Sequence, residues 1–115
     1  MTALEPAIDE GLLAELRQQL GDEVVQSLVD EFMAGNGPIL AALYAADTAA
    51  ADRMEAAHSM KGSCASIGLA GTAGLCRAVE QAFREQRLDE AERLLATLRP
   101  TLEADLALVT ARLGG

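Results

Sequence analysis

The sequence predicts an all-α protein, an antiparallel up-down four-helix bundle with a short additional N-terminal helix. Half of the 115 residues are apolar and only 3% are aromatic, so helix-forming residues such as Ala and Leu dominate the composition. Apolar residues recur every three or four positions in five segments, and no run alternates as a strand would. Short loops between amphipathic helices favour antiparallel neighbours. The length fits a single domain over residues 1–115.

The first two helices are predicted from their ends and apolar stripes. Asp9 can cap the first helix and Gly21 can end it, with a stripe of Leu12, Leu13, Leu16 and Leu20. Asp22 is the expected cap of the second helix, whose stripe contains Val24, Val25, Leu28, Val29, Phe32 and Met33. We expect residues 35–38 to interrupt or kink this helix, with Pro38 opening a continuation that carries Ile39, Leu40, Leu43 and Tyr44.

The third helix is expected to start at a cap of Asp47 or Thr48, to run to about Ile67 and to stop at Gly68. At 100° per residue, its core side contains Ala49, Ala56, Met60, Cys64 and Ile67. The opposite side presents His58, together with Ala50, Met54, Glu55, Lys61, Gly62, Ala65 and Ser66. We therefore expect His58 to face solvent, beside Met54 as an exposed apolar side chain.

The last two helices are also predicted from their ends and apolar stripes. The fourth is predicted from about Thr72 to Arg87, with Leu75, Cys76, Val79 and Phe83 inward. Asp89 and Glu92 have capping-box spacing for the fifth, and Pro100 should kink that helix or split it. Its stripe is Ala91, Leu94, Leu95, Leu98, Leu102, Leu106, Val109 and Leu113, and we expect a frayed end at Gly114 and Gly115.

Composition excludes several classes of function. The net charge of −9 argues against a nucleic-acid partner, which would require a basic patch. The N-terminus does not have the pattern of a signal peptide, and no apolar run reaches the length of a membrane span, so a cytoplasmic protein is expected. Cys64 and Cys76 lack metal-ligand spacing. They are expected to be small buried residues in a reducing compartment, with a disulfide or redox switch as the alternative.

The candidate site is the stretch that holds the single histidine and the single lysine of the chain, His58 and Lys61, followed at once by Gly62. Neutral imidazole is a nucleophile near neutral pH, and a cation one turn away can stabilise an incoming phosphoryl group. The second ring nitrogen needs an acceptor, and either Glu80 on the fourth helix or Glu55 one turn before His58 can provide it. A glycine inside a helix costs about 1 kcal/mol, which a docking surface would explain.

Docking is expected to involve the residues around His58 on this outward side. Met54, Glu55, Ala65 and Ser66 are the candidate partner-binding residues, since Met54 offers apolar area and the small residues allow close approach. The chain is expected to act as a monomer, because this side must stay open.

Two stretches of sequence resemble the signature of histidine-containing phosphotransfer (HPt) domains. The first runs from Ala57 to Gly68 and contains Ala-His-Ser-Met-Lys-Gly-Ser, where the family pattern is A-H-x-L-K-G-S. The second is Leu75-Cys76-Arg77-Ala78-Val79-Glu80, similar to L-C-x-x-L-E. Met60 and Val79 replace leucines in these patterns. The helices on either side are in register with the family, so the resemblance covers most of the chain.

The resemblance implies a phosphorelay intermediate of a multistep two-component system. By this similarity His58 accepts a phosphoryl group at Nε2 from the aspartyl-phosphate of one receiver domain and passes it to another receiver. Lys61 and Gly62 match family positions beside the histidine, and Glu80 matches a position near it that is acidic or amide. Such domains have no ATP site and no autokinase activity. They need no cofactor of their own, because the partner receiver supplies Mg²⁺.

Three other functions are alternatives to this interpretation. A non-catalytic helical-bundle interaction module, binding a receiver-like partner, would use the same surface without chemistry. A metal-binding or hydrolytic bundle needs several inward ligands, and one outward histidine does not supply them. The glycine-rich stretch from Gly68 to Gly74 follows no strand and precedes no Lys-Ser/Thr pair, so it fits an interhelical turn better than a nucleotide loop.

Overall fold

The computed structural model describes residues 7–45 and 47–114, and five helices account for most of them. In chain order they are α1 (Glu10–Leu20), α2 (Asp22–Tyr44), α3 (Ala50–Ser66), α4 (Ala70–Arg84) and α5 (Leu88–Gly114). The described residues contain no strand. The most extensive helix contacts join α3 to α4, followed by α4 to α5 and α2 to α3, while the short α1 packs on α2. This confirms the predicted four-helix bundle with an additional N-terminal helix.

The core is one continuous cluster of apolar side chains contributed by all five helices. Each predicted inward residue of α4 is buried, and so are five of the eight residues of the α5 stripe. The largest fully buried apolar residues are Leu13, Leu43, Met60, Leu69, Leu75, Leu95 and Leu98. Burial of such side chains is the main favourable term in folding, at about 1.5–3 kcal/mol for each large one.

Some residues of the predicted stripes lie outside this core. Leu20, Val24 and Met33 are exposed, and Ala49 is exposed as well. Adjacent helical positions are 100° apart, so only one of Val24 and Val25 can point directly at the core, and it is Val25. The buried stripe of α2 is therefore narrower than predicted.

The two ends of α1 are formed as predicted. The Asp9 carboxylate accepts a hydrogen bond from the backbone N–H of Leu12 at 3.0 Å, which makes Asp9 the N-cap. Gly21 follows the last residue with φ of 86°, a left-handed value at which glycine has no steric penalty.

Three other predicted caps were wrong, because their side chains have other partners or lie too far from the helix start. Asp22 is the first residue of α2, and its carboxylate accepts two hydrogen bonds from Arg17 at 2.9 and 3.1 Å. Neither Asp47 nor Thr48 caps α3, which begins at Ala50 after the backbone of Ala49.

The capping box predicted for α5 was also wrong. This helix begins at Leu88, so Asp89 lies inside its first turn, where its charge favours the positive end of the helix dipole. The Glu92 carboxylate pairs with Arg53 on α3 instead of reaching back along its own helix.

Neither proline divides its helix, so the interruption at residues 35–38 and the split at Pro100, each given as the alternative to a kink, were wrong. Helix α2 runs through Pro38 and α5 runs through Pro100, each as one helix. Packing along both helices outweighs the lost N–H of each proline. Beside Pro100, the Tyr44 hydroxyl donates to the Leu95 carbonyl at 2.7 Å and accepts from the Arg99 N–H at 3.1 Å. These two groups of α5 would otherwise bond each other, so a side chain of α2 bridges the helix next to its proline.

The fourth helix starts and ends earlier than predicted. It begins at Ala70, so Thr72 lies in its first turn and is fully buried, and it ends at Arg84. Gly68 and Leu69 form the turn between α3 and α4, with Gly68 at φ of 84°. The last two glycines were expected to fray; Gly114 is the last residue of α5, and Gly115 lies outside the described residues.

A buried arginine, absent from the sequence prediction, joins four helices. Arg53 on α3 donates two hydrogen bonds to the Leu43 carbonyl near the end of α2, at 3.0 and 2.8 Å. The same guanidinium contacts both carboxylate oxygens of Glu92 on α5 and lies 5.0 Å above the ring of Phe83 on α4. The helical wheel contained the signal, because position 53 lies four residues after Ala49 and three before Ala56 on the core side.

The chain before α1 is held against the α3–α4 turn by a group of contacts that we call the N-terminal latch: Ala7 and Asp9 with Gly68, Gly71 and Asp105. The Asp9 N–H donates to the Gly68 carbonyl at 2.8 Å, and the Gly71 N–H donates to the Ala7 carbonyl at 3.0 Å. Asp105 of α5 is fully buried and accepts from the Ala7 N–H at 2.7 Å.

Asp105 also caps α4 from outside that helix. Its second carboxylate oxygen accepts from the backbone N–H and the hydroxyl of Thr72, both at 2.8 Å. A carboxylate at a helix N-terminus satisfies free N–H groups and matches the helix dipole. One α5 side chain therefore fixes both the start of α4 and the chain entering α1.

The two cysteines are free and fully buried on neighbouring helices, as predicted. A hydrogen bond with Cys76, together with burial, raises the pKa of the Cys64 thiol, so this thiol stays protonated at neutral pH. None of the helices in the described part of the chain combines the length and the apolar character needed to cross a membrane.

Candidate functional site

The candidate site lies on the outer surface where α3 and α4 pack side by side. His58 comes from the middle of α3 and is 58% exposed at its side chain, so the predicted solvent-facing position is observed. Glu80 of α4 lies beneath it with only 7% of its side chain exposed. The His58 Nδ1 atom is 3.1 Å from Oε2 of Glu80. The structure thus places Glu80, and not Glu55, at the second ring nitrogen.

Glu80 is the centre of a small charged cluster. Lys61 Nζ donates to its Oε1 atom at 3.0 Å, while Arg84 donates to Oε2 at 2.8 Å. Burial by itself raises the pKa of Glu80, but the hydrogen bonds from Lys61, His58 and Arg84 outweigh it and hold this pKa below its ordinary value. The carboxylate is therefore ionised at neutral pH.

An ionised carboxylate can only accept hydrogen bonds, which fixes the tautomer of the histidine. The Nδ1 atom of neutral His58 must carry the proton that it shares with Glu80. The lone pair then lies on Nε2, at the opposite edge of an exposed ring. This arrangement suits a nucleophile that receives a group from outside the molecule.

The contribution of Arg84 was missed in the sequence interpretation. Arg84 and Glu80 are four residues apart on α4, a spacing at which opposite charges meet on a helix surface, so the pattern was available. Lys61 and Arg84 together contribute two positive charges beside one carboxylate. A phosphoryl group on His58 would bring about two negative charges to this place.

The other predicted site residues divide into two groups. Gly62, Ala65, Ser66 and Glu55 are exposed, as the wheel predicted. A Cβ at Gly62 would meet nothing within 4 Å, so internal packing does not require this glycine. Met54 was predicted to be exposed, but it is half-buried and packs against the core cluster. Its contribution to an apolar docking surface is smaller than predicted, because the side chain is turned partly inward.

Within residues 7–45 and 47–114, no three His, Cys, Asp or Glu side chains lie close enough together to hold a metal ion.

The charged cluster makes stability depend on pH in a defined direction. The pKa of Glu80 is lower in the folded protein than in the unfolded chain, so its contribution is present above the unfolded value of about 4.3 and is lost as pH falls through the folded value. We expect Glu80→Gln to reduce the unfolding free energy at pH 7 by about 1.5 kcal/mol, the lower end of the range for a hydrogen bond to a charged group.

Urea unfolding between pH 7 and pH 3.5 checks this expectation. The difference between wild type and Glu80→Gln should shrink below about pH 4.3. Glu103→Gln, an exposed change on α5, serves as the control and should show little difference at any pH. A Glu80→Gln difference that stayed constant across this range would contradict the assigned ionisation.

Comparisons with known proteins agree on one family. The family model described as Hpt domain matches residues 3–111. The crystal structure of histidine-containing phosphotransfer protein B (HptB) from Pseudomonas aeruginosa PAO1 matches with a TM-score of 0.80 and 27% sequence identity, covering 95% of this chain and 96% of that chain. No curated protein sequence gives a significant match.

Proposed function

This chain belongs to the Hpt domain family, whose members carry phosphoryl groups in phosphorelays, and we propose from that premise that His58 is its phosphorylated residue. The observation that carries the proposal is the contact between His58 Nδ1 and the buried, ionised Glu80. It leaves the nucleophilic Nε2 atom facing outward, where the aspartyl-phosphate of a receiver domain can reach it.

In the proposed step, the Nε2 lone pair attacks the phosphorus atom of the receiver's aspartyl-phosphate. The N–P bond forms while the P–O bond to the aspartyl carboxyl group breaks, and the aspartate leaves as a carboxylate. The Nδ1 proton stays between the ring and Glu80, which stabilises the positive charge that develops on the imidazole. Transfer to a second receiver is the same step in reverse.

Lys61 is proposed to stabilise the phosphoryl group during transfer. In the unphosphorylated protein its Nζ atom contacts Glu80 Oε1 and is 28% exposed at the side chain, so it can turn toward a group on His58. Arg84 keeps its hydrogen bond to Oε2 of Glu80 when Lys61 moves, so the negative charge of this carboxylate still has a positive partner. Gly62, Ala65 and Ser66, with Glu55 and the half-buried Met54, are proposed to form the surface around which the receiver docks.

We propose that the partners are receiver domains of a hybrid sensor kinase, a response regulator, or both. The chain is proposed to act as a monomer in the cytoplasm, because a second copy over α3 and α4 would cover His58. It is proposed to need no cofactor of its own, and Mg²⁺ would belong to the receiver.

Incubation with a phosphorylated receiver tests this function. We expect label to move to the chain as an acid-labile, alkali-stable product, as phosphohistidine is. Chelation of Mg²⁺ with EDTA should stop transfer in either direction but leave already formed phosphohistidine intact. A chain that accepted no label from any of several receivers would overturn the proposal and favour a non-catalytic interaction module.

A further inference from the structure

A groove between α3 and the first half of α4 continues from the candidate site. It has a volume of about 330 Å³, and its lining includes the charged residues Asp9, Lys61 and Arg77 and the small residues Ala65, Ala73 and Gly74. Lys61 belongs both to this groove and to the cluster around Glu80. The α3–α4 groove, as we call it, is therefore continuous with the surface that a partner must cover to reach His58.

Arg77 differs from the other cations of this acidic chain. Seven of the nine Lys and Arg residues pair with a carboxylate, and Arg99 lies over the ring of Tyr44. Arg77 is exposed, and among the described residues no carboxylate lies within 4 Å of its guanidinium. The chain has a net charge of −9, and Arg77 lies beside the reactive site without such a partner. A cation in this position favours the binding of an acidic partner protein.

Gly74 is the second observation. It lies inside α4, where glycine is about 1 kcal/mol less favourable than alanine, and a Cβ there would meet nothing within 4 Å. Gly71, one turn earlier in the same helix, is different because a Cβ would crowd Asp105 and Ala7 at 3.0 and 3.1 Å. Packing within the chain explains Gly71 but not Gly74, so the space at Gly74 is open to a partner.

We infer that the α3–α4 groove docks the receiver domain, with Arg77 pairing with an acidic side chain beside the receiver's phosphorylated aspartate. This inference rests on the proposed function and adds an orientation to it. The docked receiver extends from His58 toward the turn between α3 and α4. An acidic side chain at the edge of the receiver would complement Lys61 and Arg77. Asp9 also lines the groove and would repel a carboxylate of the partner. The partner carboxylate would therefore bind closer to Arg77 than to Asp9. Charge pairs at an interface mainly set encounter rate and partner choice.

Charge reversal tests the inference with two donors. We compare kcat/KM for transfer from the receiver with the rate of labelling by phosphoramidate, a small donor that needs no docking. The ratio of these rates should fall about tenfold in Arg77→Glu at low ionic strength, and the deficit should shrink as salt screens the charges. Arg77→Lys should retain most of the ratio. Arg93→Glu is the matched control, since Arg93 is exposed on α5 and lies outside the groove.

A change of shape gives an independent test. Gly74→Leu should stabilise the fold by removing a helix glycine, yet lower the receiver-to-phosphoramidate ratio by filling the groove. Gly35→Leu on α2, also free of Cβ contacts, should leave the ratio unchanged. An unchanged ratio in both Arg77→Glu and Gly74→Leu, with wild type accepting phosphate normally from the receiver, would overturn the groove inference alone. Failure of wild type to accept phosphate would instead overturn the proposed function.

Discussion

Replacement of His58 by glutamine is expected to abolish phosphoryl transfer, lowering the rate by at least about a thousandfold. The glutamine amide can still donate to Glu80, so the charged cluster keeps most of its contacts. It has no nucleophilic nitrogen at the position of Nε2, because an amide lone pair is delocalised. Loss of the nucleophile that forms a covalent intermediate removes the reaction path instead of slowing it.

The same variant should fold normally, which separates loss of chemistry from loss of structure. His58 is mostly exposed, and surface substitutions usually change stability by less than about 0.5 kcal/mol. Labelling from a phosphorylated receiver and thermal unfolding should be measured together, with Glu103→Gln as the control that retains both. Label that persisted on His58→Gln would place the acceptor at another residue.

Replacement of Asp105 by alanine is expected to give the largest loss of stability, about 3 kcal/mol. The carboxylate is fully buried and accepts from the N–H groups of Ala7 and Thr72 and from the Thr72 hydroxyl. Each buried donor left without an acceptor costs about 1–3 kcal/mol. Urea unfolding measures the change, and Glu103→Ala on the exposed side of the same helix should differ from wild type by less than about 0.5 kcal/mol.

Two glycines of α4 test the same latch without removing a charge. A Cβ on Gly71 would press on Asp105 and on the backbone of Ala7, so Gly71→Ala should destabilise the protein. Gly74→Ala should stabilise it by up to about 1 kcal/mol, because a Cβ there has open space. If Gly71→Ala stabilised the protein as Gly74→Ala is expected to, the latch would not be the tight contact described.

The number and order of the helices were predictable because each apolar stripe is long enough to show its period. The inward residues of α4 and most of the α5 stripe were identified for this reason. The ends of helices were less predictable. Asp9 caps its helix, but Asp22 bonds Arg17 and Glu92 bonds Arg53, since an acidic side chain takes whichever donor the fold brings nearest.

At the candidate site, the outward position of His58 and the adjacency of Lys61 follow from helical geometry alone. The choice between Glu80 and Glu55 could not be made from the residues, because it depends on how α3 and α4 pack. Asp105 was not predicted for the same reason. The position of Arg53 on the core side could have been read from the helical spacing, but its partners on α2, α4 and α5 could not. A buried charge is stable only with partners, and those partners lie on other helices.

The Tyr44 hydroxyl, which bridges Leu95 and Arg99 within α5, has a consequence for how relatives of this protein can diverge. The two hydrogen bonds of this tyrosine stabilise α5 only if the backbone hydrogen bonding of that helix is already weakened by a proline. Loss of the tyrosine alone would leave two backbone groups without their bridge, whereas loss of both residues would restore an ordinary helix. We therefore expect positions 44 and 100 to change together in evolution.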